Sequence, residues 1–231
     1  MGIRVFIVDD SAVVRKVLAE LLEGVAGIDV IGSAQDPIFA HSKMKKDWPD
    51  VIILDVEMPR MDGITFLKQI MVERPTPVVM CSTLTEGGSK TSLQALSLGA
   101  IDVVAKPKAS LKTSLPEVSQ ELITAIRTAA KANMEGVKPR QIAPIPRVST
   151  KLTADVMLSK GSSRNAKKTG PMIAIGASTG GTQALEAVLT ALPANTLPIL
   201  IVQHMPEKFT HTFANRLNDL CKVDVKEAEN N

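Results

Sequence analysis

The sequence predicts an α/β fold: a parallel, doubly wound five-stranded sheet, then a linker and the N-terminal part of a second sheet of the same kind. Three observations predict it. Short apolar runs alternate with longer amphipathic stretches from residue 3 onward. The runs are nearly continuous in Val, Ile and Leu, as strands covered on both faces require. A Pro- and Lys-containing polar stretch then separates two such patterns.

Residues 4–8 read as a buried strand, and 11–24 as a helix with Val13, Val14, Val17, Leu18, Leu21 and Leu22 on one side. Residues 28–34 are the second strand and 38–46 the second helix. The aliphatic run 51–54 ends on Asp55, and a Met-Pro-Arg-Met-Asp-Gly turn at 58–63 leads to a helix over 64–73. Strands at 77–81 and 101–105 and helices at 90–98 and 116–132 complete the pattern. Five strands alternating with five helices wind into one parallel sheet, so residues 1–131 are expected to form one domain. Over 132–169 the texture changes: Pro139, Pro144 and Pro146 stand among Lys, Arg, Ser and Thr, the composition of a linker. Over 170–231 strands are expected at 171–177, 198–203 and 223–225, with helices at 181–192 and 210–220. About 60 residues are too few to cover both faces of such a sheet, so this second unit is expected to be incomplete.

The hydrophobic fraction of 45% and charged fraction of 22% are those of a water-soluble globular protein. A net charge of +3 with both signs interspersed gives no case for nucleic-acid binding. The first apolar run stops at Asp9, too short for a signal peptide or a membrane span, so the protein is expected in the cytoplasm and not inserted in a membrane. Cys81 and Cys221 show neither metal nor disulfide spacing and read as reduced core thiols.

Ligands of a parallel α/β sheet bind at the carboxyl ends of its strands. Asp9 and Asp10 end the first strand, Asp55 the third, Ser82 the fourth and Lys106 the fifth, so all five are expected along one edge. Each alone could be a solvated residue at a strand end; together they point to a site. Packed carboxylates repel unless a cation neutralises them, and hard oxygen donors suit Mg²⁺. Such an ion screens an arriving phosphoryl group and makes a carboxylate usable as a nucleophile. Lys106 and the Ser82 hydroxyl are placed to meet the phosphoryl oxygens, with the adjacent Thr83 as the alternative hydroxyl.

The segments Val8-Asp9-Asp10-Ser11, Ile53-Leu54-Asp55-Val56-Glu57-Met58-Pro59 with Met61-Asp62-Gly63, Val79-Met80-Cys81-Ser82, Gly99-Ala100 and Lys106-Pro107 resemble the response-regulator receiver family, whose fold is flavodoxin-like. The resemblance implies that Asp55 is phosphorylated by a histidine kinase. It implies Mg²⁺ held by Asp10, Asp55, the Glu57 carbonyl and, through water, Asp9. It also makes Lys106–Pro107 a candidate cis peptide. Val103 stands where many receivers carry a switching aromatic residue, and the chain has no Tyr, which favours a smaller backbone rearrangement.

Gly176-Ala177-Ser178-Thr179-Gly180-Gly181 joins a strand to a helix. A serine at such a turn is held exposed at the sheet edge, and the first helix amides favour an oxyanion beside it. A phosphate-binding glycine turn is the rival reading. The next strand ends on His204, at the same edge, where an imidazole could act as general base; a lone histidine at a strand end is otherwise structural. His41 and His211 have no comparable setting.

Lying behind a receiver and a linker, Ile175-Gly176-Ala177-Ser178-Thr179-Gly180-Gly181-Thr182 and Pro198-Ile199-Leu200-Ile201-Val202-Gln203-His204-Met205 resemble the chemotaxis protein-glutamate methylesterases, the CheB family. That resemblance implies hydrolysis of glutamate methyl esters, and deamidation of some glutamines, on methyl-accepting chemoreceptors, with a chemotaxis histidine kinase as phosphodonor. It implies Ser178 as nucleophile, His204 as base and the Thr179 amide as oxyanion donor. In that family the unphosphorylated receiver covers the active site. The third member of the family's triad is a late Asp. Asp219 and Asp224 come too early, so none is expected here, and the 231 residues are expected to be a fragment without esterase activity. The alternative is a receiver-only phosphorylation switch and binding module. A transcription factor would need a basic recognition helix after the linker, where an apolar strand stands instead.

Overall fold

The computed structural model describes residues 2–83, 86–107, 115–134 and 170–229. The first unit runs β1 (Ile3–Val8), α1 (Ala12–Leu22), β2 (Ile28–Ala34), α2 (Pro37–Met44), β3 (Val51–Asp55), α3 (Gly63–Glu73), β4 (Val78–Ser82), α4 (Glu86–Ser97), β5 (Asp102–Ala105) and α5 (Leu115–Ala129). Its strands form one parallel sheet in the order β2-β1-β3-β4-β5, the doubly wound order in which the chain reverses direction of growth beside β1 and β3. That switch point opens a crevice above the carboxyl ends of β1 and β3, where Asp9 and Asp55 stand.

Alternation along each strand sorts its side chains to two faces. Val5, Ile7, Val51, Ile53, Val79, Cys81 and Val104 pack with Leu18 and Leu22 of α1 and Leu122, Ala125 and Ile126 of α5. Phe6, Val8, Ile52, Leu54, Val78, Met80 and Val103 pack with α2, α3 and α4 on the other face. Helix starts are fixed locally: Ser11 accepts the Val14 N–H, Asp36 those of Ile38 and Phe39, and Asp62 that of Thr65.

The second unit runs β6 (Ile173–Ala177), α6 (Gly181–Ala191), β7 (Ile199–Gln203) and α7 (Glu207–Leu220), with β6 and β7 paired in parallel. The pattern at 223–225 forms no strand. The Val225 N–H donates to Asn218 Oδ1 at 3.0 Å, so this segment folds back on α7 instead of extending the sheet. Leu185, Leu189, Phe209, Phe213 and Leu217 belong to the same apolar cluster as α3 and α4, so the second unit is packed on the α4 side of the first. Residues 135–169, most of the expected linker, lie outside the described residues. No described helix is long and apolar enough to cross a membrane.

Candidate functional site

The edge predicted to gather five residues brings three of them into direct contact. Lys106 Nζ lies 3.0 Å from Asp9 Oδ2 and 2.7 Å from Asp55 Oδ2. Both carboxylates are buried, and neither of those oxygens has an aligned hydrogen-bond donor, so the ammonium is their one close partner among the described residues. The other oxygens are held by backbone: Ser11 N–H donates to Asp9 Oδ1 at 2.9 Å and Glu57 N–H to Asp55 Oδ1 at 3.4 Å. Asp10 is exposed, and one oxygen each of Asp9, Asp10 and Asp55 falls within 4.8 Å of the others. Burial pushes Asp55 up to about 6; Lys106 opposes this and Asp9 reinforces it. Burial would push Lys106 down, but Asp55 and Asp9 outweigh it and hold the ammonium above the ordinary lysine value.

Backbone packing shapes this edge. A Cβ on Gly63 would stand 1.9 Å from the Asp55 carbonyl oxygen, so only glycine lets α3 begin there. The Arg15 guanidinium donates to the Asp9 and Asp10 carbonyls at 2.7 and 3.1 Å. Arg60, in the left-handed region at φ 71°, pairs with Asp36 and ties the loop after Asp55 to the start of α2. Ser82 is buried, donates to the Thr83 carbonyl at 3.3 Å and accepts the Lys106 N–H at its own carbonyl at 2.8 Å; Thr83 is exposed. The Lys106–Pro107 peptide, the candidate cis bond, is trans.

At the second sheet edge Ser178, Thr179 and His204 line one cavity of about 670 Å³. Gly180 takes φ 76° and lets the chain turn into α6, whose first N–H, that of Gly181, donates to the Ser178 carbonyl at 2.7 Å. Ser178 and His204 are brought together in the cavity, yet their side chains make no hydrogen bond to each other. Asp219 and Asp224 are exposed and do not line it.

The opposite wall of this cavity belongs to the first unit, through Asp102, Gln120, Glu121 and Thr124. Thr179 Oγ1 donates to Asp102 Oδ2 at 2.8 Å, and Gln183 Nε2 donates to the Leu96 and Ala100 carbonyls at 2.7 and 3.0 Å. Burial pushes Asp102 up, against the Thr179 hydrogen bond, and pushes Glu121 up against the attraction of His204. None of Asp102, Glu121, Gln183 and Gln203 was singled out from sequence. Asp102 had a signal, a carboxylate opening an apolar strand, but what it faces depends on how the two units meet.

The five-stranded order and the lysine-bridged acid pocket define a response-regulator receiver, here joined to an α/β unit with a serine turn. The response regulator receiver domain family matches residues 5–115, and the CheB methylesterase family matches 173–231. The chain is 57% identical over 230 residues to protein-glutamate methylesterase/protein-glutamine glutaminase 2 of Pseudomonas syringae pv. tomato, covering 99% of this chain and 64% of that protein. It is 58% identical over 225 residues to protein-glutamate methylesterase/protein-glutamine glutaminase 1 of Xanthomonas oryzae pv. oryzae, covering 97% and 64%. The crystal structure of the response regulator domain of Thermotoga maritima CheB is similar at a TM-score of 0.52 and 41% identity, over 58% of this chain and 99% of that one. The chain is therefore similar to the receiver family over its first half and to the CheB methylesterase family over 173–231, and spans about 64% of the length of these curated relatives.

Proposed function

We propose that residues 1–131 are a receiver that accepts a phosphoryl group on Asp55 from a chemotaxis histidine kinase, that 132–169 is a linker, and that 170–231 belong to the serine esterase this switch controls. The whole protein, on this reading, hydrolyses glutamate methyl esters and deamidates glutamines on methyl-accepting chemoreceptors. It works in the cytoplasm, a compartment that suits two buried cysteines not joined in a disulfide. The observation that carries the reading is the Lys106 ammonium set between two buried carboxylates whose facing oxygens lack aligned donors.

That donor set fits Mg²⁺: hard carboxylate oxygens close together, two of the groups buried and their negative charges met only by the one Lys106 ammonium among the described residues. Asp10, Asp55 and the Glu57 carbonyl are the residues to hold the ion, with Asp9 acting through water. When bound, it supplies charge neutralisation for the entering phosphoryl group. The Asp55 carboxylate attacks phosphorus while the bond to the donor histidine breaks, its electron pair leaving on the imidazole. Lys106 meets one phosphoryl oxygen and Ser82, buried beside it, donates to another; the exposed Thr83 is less suited. In the esterase, Ser178 attacks the ester carbonyl, His204 takes its proton and returns it to the departing methoxide, and the Thr179 amide donates to the oxyanion.

The receiver's hold on this second site follows from the Thr179–Asp102 and Gln183–α4 bonds, which seat β5 and α4 beside Ser178. Asp55→Asn is expected to abolish Mg²⁺-dependent labelling by acetyl phosphate; undiminished labelling would show that another residue is the acceptor. A receiver-only binding module is the second reading, favoured by the absence of a bond between Ser178 and His204. Asp55 labelling with no methanol release from methylated receptors would support it.

A further inference from the structure

Gln203 closes β7, opposite Ala177 in register, between the strand and His204. Its side-chain amide donates to the Ser178 carbonyl and to the His204 carbonyl, each at 2.9 Å. Only the NH₂ end of a carboxamide can face two carbonyls, so this orientation is fixed by its partners. One planar group thus ties the backbone of the serine to the backbone of the histidine. The tie is reinforced at both ends: Gly181 N–H also donates to the Ser178 carbonyl at 2.7 Å, and His204 N–H to the Ala177 carbonyl at 2.9 Å.

The other end of the amide is unusual. Gln203 Oε1 is buried without a hydrogen-bond partner, a loss that native structures rarely tolerate without reason. It is lodged against the start of α6, where a Cβ on Gly181 would lie 2.2 Å from it. Gly181 therefore makes the space that the carboxamide occupies, and an unsatisfied oxygen is kept so that the amide nitrogen reaches both carbonyls.

We infer that Gln203 is the positioning residue of the Ser178–His204 pair, a clamp that sets the distance between nucleophile and base without touching substrate. The catalytic part of this inference rests on the esterase reading; the clamp itself does not. A glutamate in its place offers no donor and sets a charge against two carbonyls, so Gln203→Glu should be more damaging than Gln203→Ala. Gly181→Ala displaces the same amide while leaving Gln203 in the chain, though its Cβ would also stand 2.7 Å from the Ala177 Cβ and press on the end of β6.

The test uses the full chain and the variants Gln203→Ala, Gln203→Glu, Gly181→Ala and the Gln203→Ala/Gly181→Ala double. Backbone hydrogen exchange over 176–183 and 203–206 is read by mass spectrometry, and Ser178 acylation by a small p-nitrophenyl ester gives kcat and KM, with Ser178→Ala as the blank. Gln203→Ala is expected to speed exchange in both segments roughly tenfold, with melting temperature within about 2 °C of the parent. If the parent shows Ser178-dependent turnover, Gln203→Ala should lower kcat by roughly tenfold with KM unchanged, the mark of lost alignment rather than lost binding. Gly181→Ala should do at least as much, since its Cβ also meets the Ala177 Cβ, and the double variant should be no worse than Gly181→Ala alone, because loss of the amide counts once. Unchanged exchange in Gln203→Ala, or additive effects in the double, would overturn the clamp. A parent chain with no Ser178-dependent turnover is the behaviour expected of an incomplete esterase unit, and exchange alone then decides on the clamp.

Discussion

Asp55 and Lys106 show how a few ångströms of burial set chemistry at the level of single residues. The Lys106 contact alone would hold Asp55 ionised and low, yet burial wins and brings it up to about 6. An acid whose folded value lies above its unfolded value binds more protons when folded, so it lowers stability as pH rises from the ordinary value of 3.8 through about 6. Asp55→Asn removes that cost while keeping the side chain's shape. In Mg²⁺-free buffer at pH 8 the variant is expected to be more stable than the parent by about 1–3 kcal/mol, a gap that closes as pH falls below about 6. Urea denaturation at a series of pH values checks it, and a gap independent of pH would mean that Asp55 titrates normally. Added Mg²⁺ should stabilise the parent and leave the variant nearly unchanged. The acid pocket was legible in sequence because each member ends a strand, and a parallel sheet sends strand ends to one edge. The Asp36–Arg60 and Arg15 contacts that hold its loops were not, because they join side chains to loops whose path is set only by the packed helices.

Elements carry constraints that no single side chain does. α3 begins so close to β3 that its first residue, Gly63, rests on the carbonyl of Asp55 itself. Gly63→Ala is therefore expected to push α3 away from Asp55, with a loss of about 1–3 kcal/mol in urea denaturation and slower acetyl-phosphate labelling. Full stability and full labelling in that variant would show that the helix start can slide without consequence. The first five strands and helices could be read from hydrophobic period alone, and β5 and α5 differ from expectation only at their ends. The third strand expected at 223–225 failed for a physical reason. Three alternating residues specify a strand only if a neighbour offers a ladder, and here the Val225 N–H finds the Asn218 side chain on α7 first. α4, read as starting at 90, begins at Glu86, because the Gly87-Gly88 pair that suggests a loop is carried into the helix by its context.

At the scale of the whole molecule, β5 links the two sites. Within five residues it presents Asp102 to Thr179 and runs into Lys106, whose ammonium sits on Asp55. On the proposed reading, a phosphoryl group on Asp55 would draw Lys106 from a carboxylate to a doubly charged acceptor, and a shift of the β5 end would be felt at Asp102, since a packed strand moves as a unit. The contact that must yield is small: Thr179 to Asp102, Gln183 to the carbonyls of Leu96 and Ala100, and the apolar seam with Leu185 and Phe213. Hydrogen bonds of this kind contribute about 1 kcal/mol each, so losing both polar ties moves a two-state contact by roughly one to two orders of magnitude. Asp102→Ala combined with Gln183→Ala is therefore expected to raise hydrogen exchange across 93–100 and 179–189 without any phosphodonor. Beryllofluoride with Mg²⁺, which stands in for the phosphoryl group on Asp55, should produce the same change in the parent chain. It should add little in the double variant, because both routes release one contact. Exchange that responds to beryllofluoride equally in both proteins would show that the signal leaves the receiver by a different face, and α4–β5 would then be only a structural seat for the second unit.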